Sequence, residues 1–167
     1  MYRNIIVPLD GSETAEQVLP YVRDLVRGRT VTVHLISVAP LSATAPVSAV
    51  APLRMYPLVV SRADFEAQTQ ERNRIESELR NYLNGVAMTL AQGNVATSVE
   101  VRFGEPAEEI LALQSEVRAD LIAMCTHGRT GLARWAYGSV AEKVTRHADC
   151  PVLLVRARKT NSSASRS

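Results

Sequence analysis

Five short runs of β-forming residues alternate with longer stretches of helical periodicity, and that alternation limits the possible fold more than any other feature. Residues 4–9 (NIIVPL), 30–38 (TVTVHLISV), 95–103 (VATSVEVRF), 120–126 (DLIAMCT) and 151–156 (PVLLVR) read as strands. Between the first two, Ala15, Val18, Leu19, Val22, Leu25 and Val26 recur at helical spacing. Residues 65–90 predict a long helix whose stripe is Ile75, Leu79, Tyr82, Leu83, Val86 and Leu90. Gly104-Glu105-Pro106 opens a helix with proline near its first position, carrying Ile110, Leu111, Gln114 and Val117. A last helix carries Val140, Val144 and Ala148. Strands separated by helices require βαβ crossovers, so the expected fold is α/β: one open, mostly parallel sheet with helices on both faces.

The apolar runs also bear on strand position. IIV, LIAM and VLLV are apolar throughout, as in strands buried on both faces. The third run alternates Val95, Thr97, Val99, Val101 and Phe103 against Ala96, Ser98, Glu100 and Arg102, which suits a half-buried edge. If the apolar fifth strand lies at an edge, it invites pairing with a second copy of itself. Residues 39–61, rich in proline and alanine, are too long for an ordinary βα connection and read as an insertion, either a mobile loop or a flap for a partner. The polar tail 157–167 is expected to be disordered. A single domain over residues 1–156 accounts for the rest.

Charge argues against nucleic acid as a partner. The chain of 167 residues has a net charge of +2, but Arg156, Arg158, Lys159 and Arg166 all fall in the last twelve residues, which hold no acid. Removing these four from the 19 basic residues leaves 15 against 17 acids, a net of −2, so the body offers no broad basic face. The opening residues form no apolar leader, and no apolar run approaches a membrane-spanning length. A soluble cytoplasmic protein is therefore expected.

In an open α/β sheet, ligands bind beyond the carboxyl ends of the strands, where the strand order reverses. The stretch after the fourth strand, MCTHGRTGLARWAYGSVAEKV from Met124, suits that place. Gly128, Arg129, Thr130 and Gly131 make a turn of little bulk in which backbone N–H groups can approach an anion. Gly138-Ser139 supplies a helix N-terminus. A purely structural alternative also fits, because Ser139 to Glu142 spells a capping box in which Ser139 closes its own helix.

The segments NIIVPLDGSETAE, VTVHLISV, GEPAEEIL, ADLIAMCTHGRTGL, GSVAEKV and CPVLLV resemble, in order, the universal stress protein family, whose nucleotide-binding members carry G-x-x-G-x9-G-[ST] after the fourth strand. Gly128, Gly138 and Ser139 match that motif, and Cys125 stands at its first glycine, where a thiol adds bulk beside the ribose or α-phosphate. The resemblance implies strand order 3-2-1-4-5 and a homodimer through the last strand, Pro151 to Val155. It also implies an adenine nucleotide, ATP or AMP, across the ends of the first and fourth strands. Asp10 would meet the ribose or a phosphate-bound Mg²⁺, Pro8 and Leu9 would shape the adenine pocket, and the Val38 backbone would meet the base edge. Gly128, Gly138, Ser139 and the Val140 amide would meet the phosphates, with Arg129 and the neighbouring Gly131 and His127 beside them. The function so implied is that of a regulator in stress response.

Two other readings start from the same residues. A scaffold of this fold would hold no nucleotide and use the 39–61 loop to dock a partner. A slow ATPase would rely on Asp10 with Mg²⁺ and on His127, although no activated nucleophile is visible. Trp135 and Tyr137 could stack on a base or simply pack. His34 lies mid-strand and His147 near a helix end, where a cation is favourable without further role. Cys125 and Cys150 fall at opposite ends of adjacent strands, too far apart for a disulfide, and no cluster has metal-site spacing.

Overall fold

The apolar runs become the five strands of one parallel sheet, ordered β3-β2-β1-β4-β5. The computed structural model describes residues 2–41, 62–91, 94–126 and 138–158. The strands are β1 Asn4–Pro8, β2 Val31–Ala39, β3 Val95–Phe103, β4 Leu121–Thr126 and β5 Val152–Arg156. Five helices cover the sheet: α1 Glu13–Glu16, α2 Leu19–Val26, α3 Arg62–Leu90, α4 Pro106–Val117 and α5 Ser139–His147. The expected order and layering are therefore present. Most of the 39–61 insertion and of the 157–167 tail lies outside the described residues.

Two apolar layers sandwich the sheet because successive strand side chains point to opposite faces. On one face Ile5, Val7, Val33 and Leu35 meet Leu19, Val22 and Val26 of α2 and Leu83, Val86 and Leu90 of α3. On the other, Ile6, Ile36, Ile122 and Met124 meet Ile110 and Leu113 of α4 and Ala141 and Val144 of α5. Burying each large aliphatic side chain in these layers contributes on the order of 1.5–3 kcal/mol before the entropic cost of ordering. The alternating β3 is an edge strand, as its pattern suggests, paired to β2 along all nine residues from Val31↔Val95 to Ala39↔Phe103. The apolar β5 is the other edge, and Val152, Leu153 and Leu154 are only half-buried there.

Three local features depart from the sequence reading. The helical stretch after β1 divides into α1 and α2 at Gln17 and Val18. Pro20 is the cause, since it has no N–H to donate to Glu16 and its ring would crowd that carbonyl. The long helix begins at Arg62 rather than residue 65. Its 29 residues span about 43 Å, against about 30 Å for a nine-residue strand, and Arg72 stacks over the ring of Phe103 at the end of β3. Its N-terminal turns therefore overhang the carboxyl edge of the sheet.

The third departure concerns Ser139. It occupies the first turn of α5 while Gly138, at φ −58° and ψ 150°, takes the N-cap position, and no side chain among the described residues caps that end. With Gly138 at the N-cap, the N3 position of a capping box falls to Ala141, and the Glu142 carboxylate instead accepts from Arg146 at 2.7 Å. The capping-box reading of Ser139 is thus corrected.

Candidate functional site

Parallel strands and right-handed crossovers bring the start of α1, α4 and α5 to the carboxyl edge of the sheet. A cavity of about 680 Å³ opens there, at the ends of β1 and β4. Eight residues singled out from sequence line it: Pro8, Leu9, Asp10, Val38, Cys125, Gly138, Ser139 and Val140. His127, Gly128, Arg129 and Gly131 lie outside the described residues, as do Trp135 and Tyr137. Sequence reasoning missed the walls made by Thr14, Ala15, Ile36, Pro106, Ile110 and Met124. The period-2 pattern carried a signal for one of them, because Ile36 must share a face with the site candidate Val38.

The first wall is held rigidly. Leu9 donates its N–H to the Ile36 carbonyl at 2.9 Å, and its own carbonyl accepts from the buried Ser37 hydroxyl. Beyond it the chain turns at Gly11, whose φ of +80° is open to glycine and strained for other residues. Asp10 Oδ1 accepts the Ser12 N–H at 3.0 Å and the Ser12 hydroxyl at 2.6 Å. The same hydroxyl accepts the Ala15 N–H at 3.1 Å and so caps α1. This fixes the Asp10 carboxyl at the cavity rim with Oδ2 outside these bonds. Beneath the turn, the buried Tyr82 hydroxyl faces Glu16 and Gly11 without completing a hydrogen bond, and burial raises its pKa.

Cys125 forms a neutral part of the wall. Its side chain packs on the α2–α3 face, and burial pushes the thiol upward, offset in part by a hydrogen bond with the Val18 backbone. A raised pKa keeps the thiol protonated and weakens it as a nucleophile. Cys150 is also a free thiol.

The helix ends differ in a way that matters for anions. Ser12 caps α1, and Glu105 caps α4 by accepting the Glu108 N–H at 3.0 Å. Among the described residues no side chain caps the N-terminus of α5, and its residues Ser139, Val140 and Ala141 line the cavity. Free N–H groups and the helix dipole at that end favour negative charge. Lys143, also on α5, is committed elsewhere: its ammonium holds Glu105 at 3.1 Å and Glu108 at 2.9 Å. Glu105 is held below the usual carboxylate range by the Glu108 amide first and Lys143 second. No lysine or arginine lines the cavity among the described residues.

Elsewhere the candidate groups have structural partners. His34 is buried, with Nε2 3.4 Å from Asn4 Oδ1, and His147 Nδ1 donates to the Lys143 carbonyl at 2.9 Å. No group of three metal-ligating side chains occurs among the described residues, and no described helix is long and apolar enough to cross a membrane.

Comparison with known proteins agrees with this architecture. The model of the universal stress protein family matches residues 1–156. Universal stress protein MJ0531 of Methanocaldococcus jannaschii is 28% identical over 159 residues, covering 95% of this chain and 85% of its own. The solved structure of MJ0577 superposes with a TM-score of 0.76 at 26% identity, covering 96% of this chain and 99% of that one. A universal stress protein family member from Arabidopsis thaliana, solved with AMP bound, has the same fold, with a TM-score of 0.59 at 17% identity, covering 98% and 96%. The chain belongs to the universal stress protein family.

Proposed function

We propose that this member of the universal stress protein family binds an adenine nucleotide, ATP or AMP, in the cavity at the ends of β1 and β4. The observation that carries the reading is the N-terminus of α5, which meets the cavity with no side-chain cap among the described residues. The volume of about 680 Å³ suits a ligand of nucleotide size. AMP in the Arabidopsis relative supports the ligand class.

In this reading the base lies against the apolar wall of Pro8, Leu9, Ile36 and Val38, with its edge on the Val38 backbone. The ribose reaches Asp10. The phosphates meet Gly138, Ser139 and the Val140 amide, joined by Gly128, Arg129, Gly131 and His127. With ATP, Asp10 Oδ2 is the group suited to a Mg²⁺ ion carried by the phosphates, because Oδ1 is already held by Ser12. The half-exposed β5 edge, from Pro151 to Val155, joins two copies into a homodimer. Such a protein acts as a cytoplasmic regulator in stress response, its nucleotide state serving as the signal.

Denaturing the purified chain and separating what it releases tests the reading first. ATP or AMP in that fraction, near one per chain, is the expected result. If the fraction is empty and the chain takes up no nucleotide at millimolar concentration, the scaffold reading replaces this one.

A further inference from the structure

We propose that Arg156 and Arg158, where the chain leaves β5, form a cationic arm that recognises the β- and γ-phosphates of a nucleoside triphosphate. The proposal rests on the nucleotide reading above and specifies which nucleotide the site prefers.

The placement follows from strand register. Cys125, which lines the cavity, pairs with Val155, and Thr126 pairs with Arg156. Arg156 is thus one residue beyond the cavity wall on the neighbouring strand, at the carboxyl edge of the sheet. Val152 and Leu154 pack on the face that carries α5, whereas Leu153 and Val155 pack on the opposite face. By this alternation Arg156 falls on the α5 side, where the uncapped helix N-terminus also lies.

The segment after β5 is fastened at the carboxyl edge of the sheet, against the junction of α1 and α2. The Ala157 N–H reaches the Thr126 carbonyl at 3.4 Å. The Gln17 carboxamide then brackets Arg158, accepting its N–H at 2.7 Å and donating to its carbonyl at 2.9 Å. Gln17 sits at the break between α1 and α2, two residues from Ala15 in the cavity wall. A carboxamide that satisfies both backbone groups of one residue holds it much as a neighbouring strand would.

Charge supplies the reason for the arm. The described cavity wall holds Asp10 and no cation, and Lys143 is engaged by Glu105 and Glu108. The N–H groups of one helix end suit a single phosphate, but a triphosphate brings more negative charge than the Mg²⁺ and Arg129 of the reading above offset, so further cations are favoured. Arg156 and Arg158 are exposed and have no ion-pair partner among the described residues. A guanidinium suits phosphate oxygens because its planar fork donates two parallel hydrogen bonds.

The test uses the full chain and titrates ATP–Mg²⁺ and AMP by calorimetry into wild type and the double variant Arg156→Gln/Arg158→Gln. ATP affinity is expected to fall about tenfold, with AMP affinity changing less than about twofold. The ATP deficit should shrink as salt is raised, since exposed cations are screened. A control, Arg3→Gln/Arg29→Gln, removes the same charge at the opposite edge of the sheet and should leave the ATP:AMP ratio unchanged. Equal losses for both nucleotides, no loss for ATP, or an equal effect of the control would overturn the arm while leaving nucleotide binding intact. A wild-type chain that binds neither nucleotide overturns both. Gln17→Ala, which frees the Arg158 backbone, should lower the ATP:AMP affinity ratio in the same direction.

Discussion

The Ser12 hydroxyl donates to Asp10 Oδ1 at 2.6 Å while accepting the Ala15 N–H at 3.1 Å, so one side chain both caps α1 and orients the acid at the cavity rim. Ser12→Ala should therefore lower stability by about 1 kcal/mol, the usual cost of a lost cap, and weaken nucleotide binding. Asp10→Asn should keep the fold and lower ATP–Mg²⁺ affinity more than AMP affinity. Chemical denaturation and calorimetric titration of the two variants separate the cap from the acid. Equal loss of ATP and AMP affinity in Asp10→Asn would remove the role in Mg²⁺ binding.

Cys125 lines the cavity, yet its side chain packs toward the α2–α3 face and against Val18. Cys125→Gly should therefore have two opposed effects. It should lose about 1–2 kcal/mol of stability through lost packing and a flexible residue in a strand. It should also tighten nucleotide binding several-fold by clearing the wall. Binding that weakens in this variant would show the thiol to be part of the ligand's seat.

His34 gives the pH dependence of stability. Burial lowers its pKa below the ordinary 6.5, and Glu100 on β3 opposes the shift more weakly. The unfolded chain therefore binds a proton more readily than the folded one. This contribution to stability is full above pH 6.5 and is lost as pH falls toward the lowered folded value. Melting curves from pH 7.5 to 5.5 should show acid destabilisation that His34→Gln reduces. An unchanged slope in that variant would place the effect elsewhere.

The outer edge of β5 pairs with no further strand among the described residues and is flanked by Val152, Leu153 and Leu154. A dimer through this edge should dissociate when a charge is placed in it. Leu153→Lys is expected to run as a folded monomer in light scattering after gel filtration, with wild type as the dimer. A variant that stays dimeric, or a monomeric wild type, would contradict that interface.

The layers were legible because they follow from period and topology, whereas the strand order came from the family resemblance. Uniform apolarity suited β1 and β4 as interior strands but marked β5, an edge, in the same way, and the Val95–Phe103 alternation marked β3 as an edge. The site was legible where a backbone feature carries it, as at Gly138 and the turn after Leu9. Side-chain partnerships were not. Ser139 and Glu142 have capping-box spacing, but whether the box closes depends on the start of α5 and on Arg146. The stretch from Ala15 to Val26 read as one helical pattern without the break at Gln17, and nothing local tied Gln17 to Arg158, 141 positions away. Ile36, Ile110 and Met124 read simply as core, because one apolar side chain can serve both a core and a cavity wall.

Calorimetric titration of the full chain with ATP–Mg²⁺ and AMP, beside Gly138→Val, tests the central claim most directly. A Cβ at Gly138 meets nothing within 4 Å among the described residues, and its φ of −58° is open to any residue, so the variant should fold as wild type does. The account predicts saturable binding of about one nucleotide per wild-type chain and a loss of at least tenfold in Gly138→Val at unchanged melting temperature. No binding to wild type at millimolar nucleotide, or equal binding to a folded Gly138→Val, would contradict it.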